Sequence, residues 1–212
     1  MAIDDLLDEH EQSERVRNWL KNNGAGLIGG IALGLAVIFG WQWWQKHQVQ
    51  QAEQANVSYQ SALDSTGKGD LKKAQAEVGK LENGDVYATL AALRLAKAQV
   101  DAGQAEAAMT TLRGIKAGDQ TLKSVVDLRL ARLLTDAGKG EEALKILGNA
   151  ADSASLEARG DALLATGKPD QARDTYLKAL TAMDVAAPQR RLVELKLSDL
   201  GGTPPKSAQP TS

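Results

Sequence analysis

The sequence predicts an all-α fold in which a single N-terminal transmembrane helix is followed by a solenoid of stacked helical repeats. Two observations support this prediction. Residues 24–44 contain no charged side chain and end in a cluster of tryptophans. Farther along the chain, a glycine followed five residues later by an alanine recurs four times, with a period near 34 residues. A period of this length with helical apolar spacing is typical of helix–turn–helix units that stack on one another.

The segment from Gly24 to Trp44 has the length and composition of a membrane-spanning helix. As an α-helix it would extend about 31 Å, which matches the ~30 Å hydrocarbon core of a bilayer. Trp41, Trp43 and Trp44 close the segment, and tryptophan is enriched at membrane interfaces. Six acidic residues before the segment argue against a cleaved signal peptide. The absence of a polar face argues against a helix buried in a core.

Basic residues on either side of this segment predict its orientation. The nearest ones are Arg15, Arg17 and Lys21 before it and Lys46 after it. Under the positive-inside rule, the N-terminus is cytoplasmic and the large C-terminal part is periplasmic. The predicted regions are a cytoplasmic segment at 1–23, the transmembrane helix at 24–44, a periplasmic repeat domain with a stalk and a cap helix at 45–200, and a disordered tail at 201–212.

Apolar residues recur at helical spacing in the cytoplasmic segment, and two interpretations of this segment remain open. These residues are Ile3, Leu6, Leu7, Val16, Trp19 and Leu20. In the first interpretation, they form an amphipathic helix that lies on membrane lipid. In the second, they form a docking site for a cytosolic partner, and the protein is a membrane-anchored regulator that sequesters a cytosolic response regulator.

The repeat is visible directly in the sequence, because LRLAK at 93–97 returns as LRLAR at 128–132. Each repeated glycine is expected to end a first helix in a left-handed cap conformation, and each alanine to let the second helix approach closely. The predicted helix pairs lie at about 47–82, 84–116, 119–151 and 153–184. A further helix from Pro188 to about Leu200 caps the solenoid. Its outer face is expected to be made wet by Arg190, Arg191, Glu194 and Lys196.

These repeats resemble tetratricopeptide repeats (TPRs), so the fold class is a TPR-like solenoid. In the fourth pair, the small and aromatic positions of that pattern are occupied by Gly160, Gly167, Ala172, Tyr176 and Ala179. The tryptophan that is usual near the start of the first helix is absent.

Over nearly its whole length the chain is similar to the YfgM family, the ancillary subunits of the SecYEG translocon. The similarity is carried by MAIDDLL at 1–7, by residues 11–21, by the glycine-rich span and by Trp41 before a glutamine-rich stalk. The resemblance implies a single-pass protein of the cell inner membrane. It also implies association with SecYEG and with a periplasmic chaperone such as the PpiD foldase, in support of protein export and folding.

Small residues on the predicted membrane helix suggest a packing face. Gly26, Gly30 and Gly34 lie four apart, a spacing that lets membrane helices approach closely. Generic flexibility or weak self-association is the alternative interpretation. Residues 24–29 also match G-x-G-x-x-G formally, but a dinucleotide site needs a preceding strand, and here a charged helical segment precedes the motif. We therefore expect no cofactor.

The sequence shows no catalytic or metal-binding constellation, which favours a non-catalytic protein that acts by binding. His10 and His47 are the only histidines. They are predicted on opposite sides of the membrane and cannot share a metal. A net charge of −2 argues against a nucleic-acid partner. The missing site chemistry also argues against an envelope enzyme with a small-molecule substrate.

The predicted working surface is a peptide groove lined by the first helices of successive pairs. By the repeat pattern, it includes Leu90, Leu93, Lys97 and Val100 from one pair and Val125, Leu128 and Arg132 from the next. Asp101 and Asp136 follow Lys97 and Arg132 at i, i+4, which is the spacing of ordinary surface ion pairs worth ~0.3–0.5 kcal/mol. We favour that ordinary interpretation for the charges, and the groove for the apolar residues.

Overall fold

The computed structural model describes residues 2–82 and 84–205, with side chains from Ser13 onward. Regular structure within these residues is entirely helical, as the sequence predicts. The helices are α1 (Ala2–Gly67), α2 (Leu71–Val78), α3 (Val86–Asp101), α4 (Ala105–Arg113), α5 (Gln120–Asp136), α6 (Gly140–Leu147), α7 (Ser153–Ala165), α8 (Pro169–Ala182) and α9 (Arg190–Asp199). The side chains of Ile3, Leu6, Leu7 and His10, and the last seven residues of the predicted tail, lie outside the described residues.

The chain divides into two compact units between Gln54 and Ala55. In the first unit, every large apolar side chain from Leu27 to Trp44 is more than 40% exposed. This part of α1 is long and apolar enough to cross a membrane, and none of its most apolar stretch is buried. Apolar side chains that contact no protein over the thickness of a bilayer fit a helix that faces lipid. The predicted long apolar N-terminal helix is therefore confirmed.

Aromatic side chains contact one another at the end of this apolar stretch. The ring centroids of Trp41 and Trp44 lie 5.3 Å apart, and Trp43 stacks on His47 at 5.6 Å. The Nε2 atoms of His47 and Gln51 lie 3.4 Å apart, so the ring also has a polar neighbour. Such a cluster, apolar on one side and polar on the other, suits the boundary between hydrocarbon and water.

In the second unit, glycines separate the two helices of each pair. The four that the sequence singles out are Gly69, Gly103, Gly138 and Gly167, with φ between +72° and +75°. This left-handed conformation favours glycine because it has no Cβ. At the end of α3, Gly103 N–H donates to Val100 O, and Gln104 N–H donates to Gln99 O at 2.7 Å. The last carbonyls of the helix thereby find donors, and the predicted capping role is confirmed.

Fully buried alanines allow the two helices of each pair to approach closely. The alanines that follow the four glycines by five residues are Ala74, Ala108, Ala143 and Ala172, each 0% exposed. Larger side chains, such as Met109 and Leu134, fill the core between one pair and the next. Each predicted range contains the two helical segments of one pair. The predicted register of the repeats is therefore confirmed.

Aspartates begin three of the first helices. Asp85, Asp119 and Asp152 precede α3, α5 and α7, and each carboxylate accepts a backbone N–H from the first turn. An N-cap of this kind stabilises a helix by about 1 kcal/mol. The starts of the first helices are therefore fixed by side chains, and their ends by the glycines.

The cap helix α9 differs from its prediction. Arg190 is 8% exposed and donates to the carbonyl oxygens of Leu180 and Met183 at 3.0 and 3.3 Å. Glu194 accepts from Arg190 and is half-buried, and Lys196 also turns toward the protein. The expectation that these side chains make the outer face wet is wrong for all but Arg191. Carbonyl oxygens draw Arg190 inward and the carboxylates of Glu157 and Asp161 draw Lys196 inward, while Glu194 accepts a hydrogen bond from Arg190.

Candidate functional site: the surface of the first helices

A glycine with positive φ follows each first helix and the cap helix α9, and we call it the closing glycine of that helix. Residues at the same distance before their closing glycines occupy equivalent positions on successive helices. Gly201 after α9 has φ +73°, like the glycines after α3, α5 and α7. Nine residues before each glycine stand Arg94, Arg129, Ala158 and Leu192, and six residues before stand Lys97, Arg132, Asp161 and Leu195. On α3, α5 and α9 these side chains are exposed. The surface is basic on α3 and α5 and apolar on α9.

Leu93 does not belong to this surface. It is 5% exposed and lies in the core cluster with Val126 and Leu130 of α5. Its position, ten residues before the closing glycine, faces the following pair and not the solvent. The prediction that Leu93 lines an open groove is therefore wrong, since a partner cannot reach its side chain.

The other predicted groove residues remain partly or fully accessible. Leu90, Val125 and Leu128 are half-buried, and the last two pack against the core. Val100 is 39% exposed, and the side chains of Lys97 and Arg132 are exposed. These residues give a surface of apolar patches between cations. Binding of a peptide to this surface stays a prediction.

The charges on the first helices form only one of the two predicted i, i+4 pairs. Lys97 Nζ lies 2.5 Å from Asp101 Oδ2, and both side chains are more than half exposed. Such a pair contributes little to stability. Arg132 does not pair with Asp136. Its Nη2 atom instead lies 3.5 Å from Glu157 Oε2 on α7.

Two arginines of this surface have no ion-pair partner among the described residues. Arg94 on α3 and Arg129 on α5 are exposed and occupy the same position in successive repeats. An exposed guanidinium that is not neutralised locally remains available for a carboxylate, which it binds through two parallel hydrogen bonds. The α3–α5 part of the surface therefore favours an acidic partner.

Three charged side chains of α7 and α9, Glu157, Asp161 and Lys196, form one network within the protein. Lys196 Nζ lies 3.0 Å from Glu157 Oε1 and 2.8 Å from both carboxylate oxygens of Asp161. Tyr176 Oη donates to Asp161 Oδ1 at 2.6 Å, and Lys196 lies 5.9 Å from the centre of the Tyr176 ring. This network joins α7, α8 and α9. It ties the cap helix to the last pair.

The network shifts two pKa values. Burial alone would lower the pKa of Lys196, but the hydrogen bonds and charges of Asp161 and Glu157 outweigh it and raise the pKa. The pKa of Tyr176 is raised strongly, first by burial and then by its bond to the Asp161 carboxylate. Lys196 therefore stays protonated and Tyr176 stays neutral at physiological pH, so both serve as fixed donors.

Sequence reasoning missed this network, although one signal for it was present. Glu157 stands ten residues before Gly167, where α3 and α5 carry Leu93 and Leu128. An acid at a core position of a repeat requires a buried partner. The spacing of Lys196 alone could not identify it as that partner, because the two residues belong to different pairs.

The glycines predicted to form the packing face of the membrane helix have no close neighbours from elsewhere in the described chain. A Cβ added at Gly26, Gly30 or Gly34 would meet nothing within 4 Å, so their role in helix packing stays a prediction. Among the described residues, no group of three or more histidine, aspartate or glutamate side chains is placed to hold a metal ion.

Known proteins similar to this chain include a family and several curated relatives. A family model described as a tetratricopeptide repeat-like domain matches residues 17–202. The chain is 34% identical over 201 residues to the ancillary SecYEG translocon subunit of Escherichia coli K12, covering 91% of this chain and 97% of the relative. The chain belongs to the family of ancillary SecYEG translocon subunits. This family consists of non-enzymatic proteins with TPR-like domains.

Two further comparisons have lower identity. The ancillary SecYEG translocon subunit of Haemophilus influenzae is 29% identical over 203 residues, covering 92% of this chain and 98% of the relative. A solved structure titled MamA MSR-1 C2 aligns with a TM-score of 0.46 and 20% identity, covering 72% of this chain and 85% of the other.

Proposed function

We propose that this protein is a single-pass inner-membrane subunit that associates with SecYEG. Its N-terminus lies in the cytoplasm, and its repeat domain lies in the periplasm. The observation that carries this proposal is the 34% identity to a named translocon subunit, extending over 91% of the chain. The exposed apolar part of α1 supports membrane insertion. The basic residues before it support the orientation.

The repeat domain is further proposed to hold a periplasmic chaperone close to the translocon. The exposed surface of α3 and α5 supports this role, since it combines half-buried apolar side chains with the unpaired Arg94 and Arg129. Apolar contacts contribute affinity, and the arginines select a partner segment that carries carboxylates. The membrane helix would bind SecYEG through the face of Gly26, Gly30 and Gly34.

Affinity purification from gently solubilised membranes tests both roles separately. SecYEG subunits and a chaperone such as the PpiD foldase are quantified with the tagged wild type and with two variants. Arg94→Glu with Arg129→Glu reverses the charge of the proposed chaperone surface, and Gly30→Leu with Gly34→Leu adds bulk on the membrane face. We expect the first variant to lose the chaperone and keep SecYEG, and the second to lose SecYEG.

A matched control separates specific effects from a general change in net charge. Lys145→Glu with Lys178→Glu places the same charge reversal at exposed positions on second helices. It should leave both partners bound. Failure of the wild type to retain SecYEG would refute the translocon association. Equal chaperone recovery from the arginine variant and the lysine control would refute the proposed surface.

A further inference from the structure

Ion pairs join the second helices of consecutive pairs, with one exception. The pairs are Arg113–Glu142 at 2.7 Å and Lys139–Glu106 at 2.9 Å on the α4–α6 side, and Lys168–Glu141 at 2.7 Å on the α6–α8 side. Within the described part of the chain, no ion pair joins α2 to α4. We call the contact between the second helices of two consecutive pairs a seam, so the three seams are α2–α4, α4–α6 and α6–α8. Among the described residues, the first seam therefore lacks the ion pairs that the other two have.

The sequence explains the first missing pair. Arg113 stands ten residues after the glycine that closes α3, and Glu142 stands four residues after the glycine that closes α5. One repeat earlier, the same two positions are Gly79 and Ala107. Neither residue has a polar side chain, so the cross-seam contact cannot form.

A pair equivalent to Lys139–Glu106 is missing from the α2–α4 seam for a similar reason. The acid of that pair, Glu106, stands three residues after Gly103. Its lysine, Lys139, stands one residue after the next closing glycine, Gly138. Between α2 and α4 the corresponding residues are Lys72 and Gln104. Lys72 is exposed and has no ion-pair partner among the described residues, so the acid of the other seams is replaced by a free cation.

A cleft of about 450 Å³ opens where these side chains are missing. Gly79 and Ala107 both line it, and its floor is formed by α3 with Ala92 and Leu95. Ile115 adds a further apolar wall. Ligand sites in proteins are commonly clefts of about 300–1,000 Å³ with mostly apolar walls. In size and lining, this cleft falls in that class.

The cleft has few polar groups, and a hydrogen bond fixes the position of one of them. Gln99 is 2% exposed and accepts a hydrogen bond from Thr111 Oγ1 at 2.8 Å, which fixes its side chain in the floor. Lys116 is the only charged residue lining the cleft in the described part of the chain. Lys116 therefore places one cation at the edge of an apolar floor.

We propose that this cleft binds an apolar segment of a partner protein that carries an acidic residue next to its apolar side chains. The apolar side chains enter the space that the missing ion pair leaves over α3. The carboxylate lies at the rim beside Lys116, which has no ion-pair partner among the described residues. This site lies between second helices, so it is separate from the surface of the first helices and can be tested without it.

A defined peptide tests the chemistry of the site with the full-length protein in nanodiscs of zwitterionic lipid. All measurements use the Arg94→Glu, Arg129→Glu background, so that the surface of the first helices does not contribute acidic-peptide binding. The probe is a short fluorescein-labelled peptide of alternating leucine and aspartate, and its match has lysine in place of aspartate. Fluorescence anisotropy should show the acidic peptide binding about tenfold more tightly, or better, than the basic one. Equal binding of the two peptides would overturn the proposal. Binding of a labelled fatty acid with no binding of either peptide would also overturn it.

Closing the cleft tests its location. Gly79→Arg with Ala107→Glu rebuilds the ion pair of the next seam, and a Cβ at Gly79 meets only ordinary contacts, at 3.5 Å. This variant should lose acidic-peptide binding by about tenfold or more. The matched control, Arg113→Gly with Glu142→Ala, removes the pair of the neighbouring seam and should keep binding. Unchanged affinity in the closed variant would overturn the proposal.

A charge reversal gives a second, independent readout. Lys116 is exposed, so Lys116→Glu leaves the packing intact and decides the question if the closed variant fails to fold by circular dichroism. It should weaken the acidic peptide and strengthen the basic one. An unchanged preference between the two peptides would show that the rim does not select the carboxylate, and would overturn the proposal.

Discussion

Gly160 packs directly against the ring of Tyr176, so substitution of this glycine tests how the last repeat packs. A Cβ built at Gly160 would lie 2.3, 2.6 and 2.9 Å from three carbons of the Tyr176 ring. Tyr176 is 0% exposed and its hydroxyl is held by Asp161 at 2.6 Å. The ring cannot move aside without stretching that bond. Gly160→Ala should therefore destabilise the α7–α8–α9 region.

The expected magnitude combines three effects. Overpacking a core by one methyl group costs about 1–3 kcal/mol. Disturbing a hydrogen bond to a charged group costs about 1.5–3 kcal/mol more. Alanine is favoured over glycine within a helix by about 1 kcal/mol, which offsets part of the cost. The net result is a loss of roughly 1.5–5 kcal/mol in the free energy of unfolding.

Hydrogen exchange on the full-length protein in nanodiscs measures this loss locally. Amides of α7, α8 and α9 should exchange faster in Gly160→Ala, while those of α3 and α4 should change little. Gly67→Ala is the matched control, because nothing lies within 4 Å of its added Cβ. If Gly160→Ala instead slows exchange by the ~1 kcal/mol that helix propensity alone predicts, the tight packing of Tyr176 is refuted.

Three further predictions address packing, capping and topology. Ala143→Leu should cost about 1–3 kcal/mol in thermal unfolding, since Ala143 is fully buried; a change under about 0.5 kcal/mol would mean that its surroundings are open. Burial raises the pKa of Asp152, but hydrogen bonds from Ser155 outweigh it and lower the pKa. Asp152→Ala should therefore cost about 1 kcal/mol in urea titrations at neutral pH, and less once the pH falls below the unfolded-state pKa of about 3.9 and through the folded pKa. Protease added to spheroplasts should digest the chain beyond about residue 50, as the positive-inside rule implies, and full protection of that part would reverse the topology.

The repeat register could be predicted because it rests on residues with a single strong conformational preference. The glycines that separate the helices of each pair have positive φ, and the alanines that follow them are fully buried. A glycine that must adopt φ near +73° cannot be replaced without strain. An alanine between two helices cannot be enlarged without separating them. Both requirements act locally and therefore appear at fixed spacing in the sequence.

The outward face of each first helix could not be predicted with the same accuracy. Leu93 and Leu90 are both leucines three residues apart, yet one is 5% exposed and the other half-buried. Which of them turns toward the next pair depends on the angle at which successive pairs stack. That angle is set by packing between residues far apart in the chain, so helical periodicity alone does not determine it.

Contacts between consecutive helix pairs could not be predicted from the sequence. Counting residues from the closing glycines nevertheless identifies which positions form them once the structure is known. Arg132 was expected to pair with Asp136 on its own helix, but it lies near Glu157 of the next pair. Once each residue is counted from its closing glycine, the seams can be compared position by position. The ion pair of one seam then becomes Gly79 and Ala107 in another. The α2–α4 seam thus differs from the α4–α6 seam at these two side chains, while the glycine caps and the buried alanines of both stay the same.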